Sequence, residues 1–240
     1  MGLDADLAKI TARPELCNEV AVASVITQQV IEGICAPADS RFPDNGVEVH
    51  IETERADMQN FVVHTIESAP EKSRETLRAL SGKFGFLPNV MGTMAGNPVL
   101  LNGFAGTFGS FHGGSLNECE KQALLLTNAV KLKCPWTVAA HSTFALEDGM
   151  SELDVKAMRE GRLPQDVKYA ALSRLTKSLI ETRGNITNAE IEQFTSAGYS
   201  PLQVFEVIVS IGISTMAATT TNLAGTPVDD RFKAQSWKPV

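Results

Sequence analysis

The chain has 240 residues, 43% of them hydrophobic, which is enough to bury one sizeable core. Its formal charge is −7, and no dense Lys/Arg block or aromatic-basic interleaving occurs, which argues against nucleic acid as a partner. Cys17, Cys35, Cys119 and Cys134 are too scattered for a disulfide framework or a zinc knuckle, so they read as free thiols of a reducing compartment.

The opening "MGLDADLAKI" lacks the basic-then-apolar run of a secretion signal, and the expectation is a cytoplasmic protein. Residues 14–34 open with Pro14, end at Gly33–Ile34 and carry apolar side chains at helical spacing. The stretch "APADSRFPDNG" reads as a linker, and "GVEVHIET" (46–53) alternates like a half-buried strand, the one such signal in the chain. A boundary near residue 60 separates an N-terminal helical arm and linker (1–60) from the main domain (61–240).

That domain is punctuated as helices. Residues 70–84 start at "PEKSRE" and stop at Gly85. "FGFLPNVMGTMAGNP" then predicts a turn, a short helix, and a proline that opens a further helix to about Phe111. "SLNE" (115–118) reads as a capping box made by Ser115 and Glu118, and "SELD" (151–154) and "TNAE" (187–190) repeat the type. Pro135 suits the first turn of a helix closing at Gly149, a long helix spans about Gln165 to Arg183, and "SP" at 200–201 starts the last. The window "VFEVIVSIGISTMAA" is too short and interrupted to span a bilayer, so no membrane partner is expected. The fold class is all-α.

Chemistry concentrates in "KLKCPWTVAAHSTF" (131–144). Cys134 precedes a helix N-terminus, where free amides and the dipole favour a thiolate. His141 follows at i+7, two turns on, which places both on one face with Thr137 between them. The plain alternatives are a buried free thiol and a core histidine donating to a backbone carbonyl. His112, in "SFHGGS", is a loop histidine within reach of a pocket at the helix ends, while His50 and His64 receive no role. Trp136 reads as packing, Met91, Met94 and Met216 as core or pocket lining, and Asn222 and Asp229 as fixing a subunit contact or a pocket edge.

The segments "FGFLPNVMGTMAGNPVLL", "LNECEKQALLLTNAVKLKCPWTVAAH" and "NITNAEIEQFTSAGYSPLQVFEVIVSIGISTMAATTTNLAGTPVDDRF" resemble the carboxymuconolactone decarboxylase family in its alkylhydroperoxidase D-like, peroxidase-related branch, over residues 65–232. The resemblance implies an alkylhydroperoxidase D-like helical bundle that forms a homo-oligomer, a trimer or hexamer with a dimer also open. It also implies a site made of a glutamate, a Cys-x-x-Cys pair and a histidine four residues beyond. Cys134 matches the first cysteine and His141 the histidine, but Thr137 stands at the second cysteine and Gln122 at the glutamate. Threonine forms no disulfide and glutamine accepts no proton at neutral pH, so the dithiol peroxidase cycle cannot run on this chain.

Three readings stay open. One is a peroxide-reducing oxidoreductase working on Cys134 alone, assisted by His141 and resolved by an external thiol or Cys119. Another is a lyase or isomerase acting on a small organic acid or lactone, with His141 as acid or base and Gln122 and Thr137 orienting the substrate. The third is a non-catalytic oligomeric scaffold. Glu118 is offered either as a helix cap or as the carboxylate that replaces the missing one. No cofactor is expected, because "GKFGFLPN" is too short and wrongly spaced for a phosphate loop. No metal is expected either, since His141 has no partner ligand at a suitable spacing.

Overall fold

The computed structural model describes residues 61–239. The arm over 1–60, with the expected helix at 14–34 and strand at 46–53, lies outside the described residues. Those described form α1 (Glu71–Phe84), α2 (Asn89–Met94), α3 (Pro98–His112), α4 (Glu118–Lys131), α5 (Pro135–Glu147), α6 (Glu152–Arg159), α7 (Val167–Thr182), α8 (Asn188–Ser196), α9 (Gln203–Ala224) and a closing 3-10 turn, Asp230–Gln235. No strand occurs among them, and the bundle is all-α as expected.

Punctuation explains most boundaries. Gly85 ends α1 with φ of 74°, a left-handed value that costs glycine little. Pro98 takes the first position of α3, where Asn97 accepts the amide of Val99 at 2.9 Å. Thr187 and Glu190 form the expected reciprocal box. At "SELD" the Ser151 hydroxyl accepts the Asp154 amide at 3.1 Å, while the Asp154 carboxylate turns to the Ser151 hydroxyl and the Gln165 amide instead of closing the box.

The box at "SLNE" is a misreading by two residues. Helix α4 starts at Glu118, so Asn117 is the cap and Glu120 its reciprocal partner. "SLNECE" contains the pattern in two registers, and the inner one wins because Ser115 is engaged elsewhere. Its amide donates to Glu206 at 2.9 Å and its hydroxyl at 2.5 Å, which ties the α3–α4 loop to α9.

Helix α4 runs through the middle, packed on α5, α6, α7 and α9, and every residue from Glu120 to Ala129 is buried. Burying Leu124, Leu125 and Leu126 there contributes roughly 1.5–3 kcal/mol each. The buried carboxylate of Glu120 is matched by Lys168 at 2.6 Å, the Tyr199 hydroxyl at 3.1 Å and the Asn117 amide at 3.0 Å.

Helix α9 corrects the membrane argument as first framed. It has 22 residues with a mean hydropathy of 1.5, long and apolar enough by length and composition to cross a bilayer. Its sides pack on α2, α3, α4, α5 and α7, and Val207, Ser210, Ile213 and Ala218 are buried there, so it serves as a core helix of the bundle.

Candidate functional site

A cavity of about 280 Å³ lies among α1, α2, α3, α4, α5, α9 and the closing turn. Helical spacing builds each wall. Phe104, Phe108 and His112 come from α3, Glu118, Gln122 and Leu125 from α4, and Thr137, Ala140, His141 and Phe144 from α5. Met91, Phe84 and Phe232 add apolar surface, and Lys83 from the last turn of α1 and Asp148 from the end of α5 complete the polar part.

The hydrogens of the His141–Gln122 pair can be worked out from their neighbours. His141 Nδ1 lies 3.1 Å from Gln122 Oε1. The Gln122 amide favours the ionised form of the nearby Asp148 carboxyl. With Gln122 presenting its oxygen to the ring, and an amide oxygen only accepting, Nδ1 carries the hydrogen and Nε2 keeps a bare lone pair. Burial lowers the His141 pKa to about 3, with the nearby His112 adding to the effect. The imidazole is neutral throughout the physiological range. Its partner is a side chain, so the plain alternative of a core histidine bonded to a backbone carbonyl does not hold.

His112 also reaches the cavity. It closes α3, and its Nδ1 faces Glu118 Oε2 at 3.6 Å. Burial first, then the positive charge of Lys83, lower its pKa to about 4. Glu118 does not cap its helix. It pairs with the buried Lys121 at 2.9 Å, and Lys121 donates as well to the His112 carbonyl at 2.8 Å. Asp148, held above the usual aspartate value first by burial, was invisible in the sequence because an Asp before a Gly after a helix reads as a plain stop. Lys83 was missed for a similar reason, as an ordinary cation in a last helical turn.

The structure places Glu118, Gln122, Thr137 and His141 around one cavity but leaves Cys134 out. The wall contains no cysteine among the described residues. Cys134 is the N-cap of α5, with φ of −105° and ψ of 104°, so the i+7 helical rule does not govern its side chain. Its sulfur accepts the Thr137 amide at 3.5 Å, as an N-cap should, and lies 2.9 Å from Thr221 Oγ1 with none of the residue exposed. The Thr221 hydroxyl donates to the α9 backbone, to Ala217 O at 3.0 Å, which makes the thiol the donor toward Thr221. Thr137 spends its own hydroxyl hydrogen on Cys134 O at 3.3 Å. Cys119 sits away from the cavity and donates to the Asp148 carbonyl at 3.1 Å.

Asp229 sets the pocket edge. It accepts Trp136 Nε1 at 3.0 Å and the Asn89 amide at 3.1 Å, holding a cavity-wall indole against the start of α2. Asn222 ties α9 to Leu132 O at 3.2 Å. No group of three His, Cys, Asp or Glu is placed to hold a metal ion among the described residues.

No protein-family model matches the chain, and no curated protein matches it in sequence. Solved structures do match in shape. An alkylhydroperoxidase AhpD core, an uncharacterized peroxidase-related protein from Ralstonia eutropha JMP134, superposes with a TM-score of 0.64 at 16% identity, over 72% of this chain and 93% of that one. The fold is that of alkylhydroperoxidase D. An uncharacterized peroxidase-related protein from Silicibacter sp. TM1040 shares it at a TM-score of 0.59 and 15% identity, over 75% and 97% of the two chains. So does the debrominase Bmp8, in complex with 2,3,4-tribromopyrrole, at a TM-score of 0.58 and 16% identity, over 75% and 96%. On this alkylhydroperoxidase D fold the cavity is lined by two neutral histidines and, among the described residues, by no cysteine.

Proposed function

We propose that the cavity binds a small, largely apolar organic acid or lactone and that His141 accepts a proton from it through Nε2, in a lyase or isomerase reaction. The observation that carries this is the contact of His141 Nδ1 with Gln122 Oε1 at 3.1 Å, which puts the hydrogen on Nδ1 and leaves the other nitrogen for chemistry. In the proton transfer a substrate C–H bond breaks, its electron pair stays on carbon as an enolate-like anion, and Nε2 becomes N–H. The resulting imidazolium is costly in a site that lowers its pKa to about 3, so it needs a negative charge beside it. An anionic substrate supplies that charge. The small flat ligand named for the debrominase is compatible in kind with a cavity walled by Phe84, Phe104, Phe108 and Phe144.

The single-cysteine peroxidase is the second reading, and the burial of Cys134 behind Thr221 weighs against it. The test incubates the protein in D₂O with a panel of small lactones and keto acids and follows loss of substrate proton signals by NMR. Exchange lost in His141→Ala and kept in Cys134→Ser is the expected result. Peroxide consumption with dithiothreitol that disappears in Cys134→Ser, with no exchange on any acid, overturns it.

A homo-oligomer remains the partner we propose. Its support is the outer side of α9, where Leu202 at the cap, Phe205 and Ile208 stand exposed about one turn apart and Leu223 stands exposed about four turns further on. Light scattering on Phe205→Glu should report a smaller mass than the parent protein.

A further inference from the structure

We infer that Lys83 is a specificity-determining residue that anchors the carboxylate of the ligand at one end of the cavity. This deepens the reading of the cavity as a substrate site and rests on it. The two lining histidines are neutral at neutral pH, which leaves Lys83 as the lining residue with a full positive charge. Other cations near the site are already engaged. Lys121 is held by Glu118 at 2.9 Å and by the His112 carbonyl, and Arg231, stacked on the outer faces of Phe86 and Phe144, is held by Glu147 at 2.9 Å. Lys83 has no carboxylate within 4.0 Å among the described residues.

Its position is also specific. The ammonium sits 4.9 Å from the centroid of the Phe108 ring, and Phe108 in turn packs on Phe84 at 5.5 Å and Phe104 at 5.6 Å. The cation–π contact holds the charge of this exposed lysine against the cavity wall, at the solvent-facing rim. A lysine in a last helical turn complements the helix dipole wherever its side chain goes, so the dipole alone does not account for placement on this ring. Of the two carboxylates of the wall, Glu118 is paired with Lys121 at 2.9 Å, and neither lies within 4.0 Å of the Lys83 ammonium. An aromatic or lactone body against Phe84, Phe104 and Phe108, with its acid group at Lys83, fits this distribution of charge.

Calorimetric titration of the full chain with cinnamate and with its neutral isostere cinnamamide tests the anchor. The parent protein should bind the acid about tenfold more tightly than the amide, the scale of one hydrogen bond to a charged group. Lys83→Met keeps the aliphatic stem on Phe108 and should abolish the preference while leaving amide affinity unchanged, and Lys83→Arg should restore it. Equal affinity for acid and amide in the parent, or a preference that survives in Lys83→Met, overturns the anchor. Failure of either probe to bind overturns it as well, together with the cavity reading. A Lys83-dependent preference accompanied by no deuterium exchange on any acid upholds the anchor and removes His141 as a base.

Discussion

The two lowered histidines make a prediction about acid stability that needs no knowledge of the substrate. In the unfolded chain each imidazole titrates near 6.5, whereas folded His112 and His141 titrate at about 4 and about 3. Around pH 5 the unfolded state therefore binds nearly two more protons than the folded one, and the difference shrinks toward pH 6.5 and toward pH 4. A lowered histidine pKa costs nothing above 6.5, and the penalty grows as pH falls below it. Each fully withheld proton is worth about 1.4 kcal/mol per pH unit, so the pair should remove at most about 2.7 kcal/mol of stability per unit, near pH 5. Urea unfolding between pH 7 and 4.5 measures this slope. His141→Gln and His112→Gln should each halve the histidine contribution, because a glutamine does not titrate. Equal slopes in the parent and both variants would refute the burial argument, as would an NMR titration of His141 centred near 6.5. Either result would also remove the neutral, singly oriented imidazole on which the proposed chemistry stands.

Gln122→Glu places a carboxylate 3.1 Å from His141 Nδ1, and the His141 pKa should rise by about 1–3 units, measured by ring-carbon chemical shifts against pH. Cys134→Ser should leave any acid–base activity intact and cost about 1 kcal/mol in urea unfolding, since the hydroxyl can keep the Thr137 and Thr221 contacts in a slightly looser pocket. Asp229→Ala removes the acceptor for Trp136 Nε1 and the Asn89 amide, and should cost about 2–4 kcal/mol and move tryptophan emission to longer wavelength.

The helices were legible because proline, glycine and short polar caps are local signals. Pro98, Pro135 and Gly85 act within one turn of themselves, and the structure places helix ends where they stand. The cap at "SLNE" was misplaced because two registers of one pattern overlap, and only the tertiary contact of Ser115 with Glu206 chooses between them. At the site, Gln122, Thr137 and His141 were legible through spacing and resemblance. Cys134 was placed on the wrong surface because helical periodicity was extended to a residue outside the helix. Asp148 and Lys83 could not be read at all. Their partners, Gln122 and Phe108, belong to other helices, and no local pattern distinguishes them from solvated charges at helix ends.

Gln122 and Asp148 make sense as a pair. An amide at position 122 accepts from His141 Nδ1 and favours the ionised form of the Asp148 carboxyl without adding a charge of its own. A glutamate there would accept from the histidine too, but it would bring a second negative charge against Asp148 in a partly desolvated corner, at a cost that raises both carboxyl pKa values. The chain thus holds its carboxylate one step further from the imidazole than the resembling pattern does, with a neutral relay between. A charged group in direct contact would pull the ring toward the imidazolium form, whereas the amide fixes the tautomer and leaves the ring neutral. Thr137 agrees with this, since its hydroxyl hydrogen is spent on Cys134 O and only lone pairs remain for the cavity. Positions 122 and 137 together give the wall hydrogen-bond acceptors beside a neutral imidazole, which is the setting the proposed base would use.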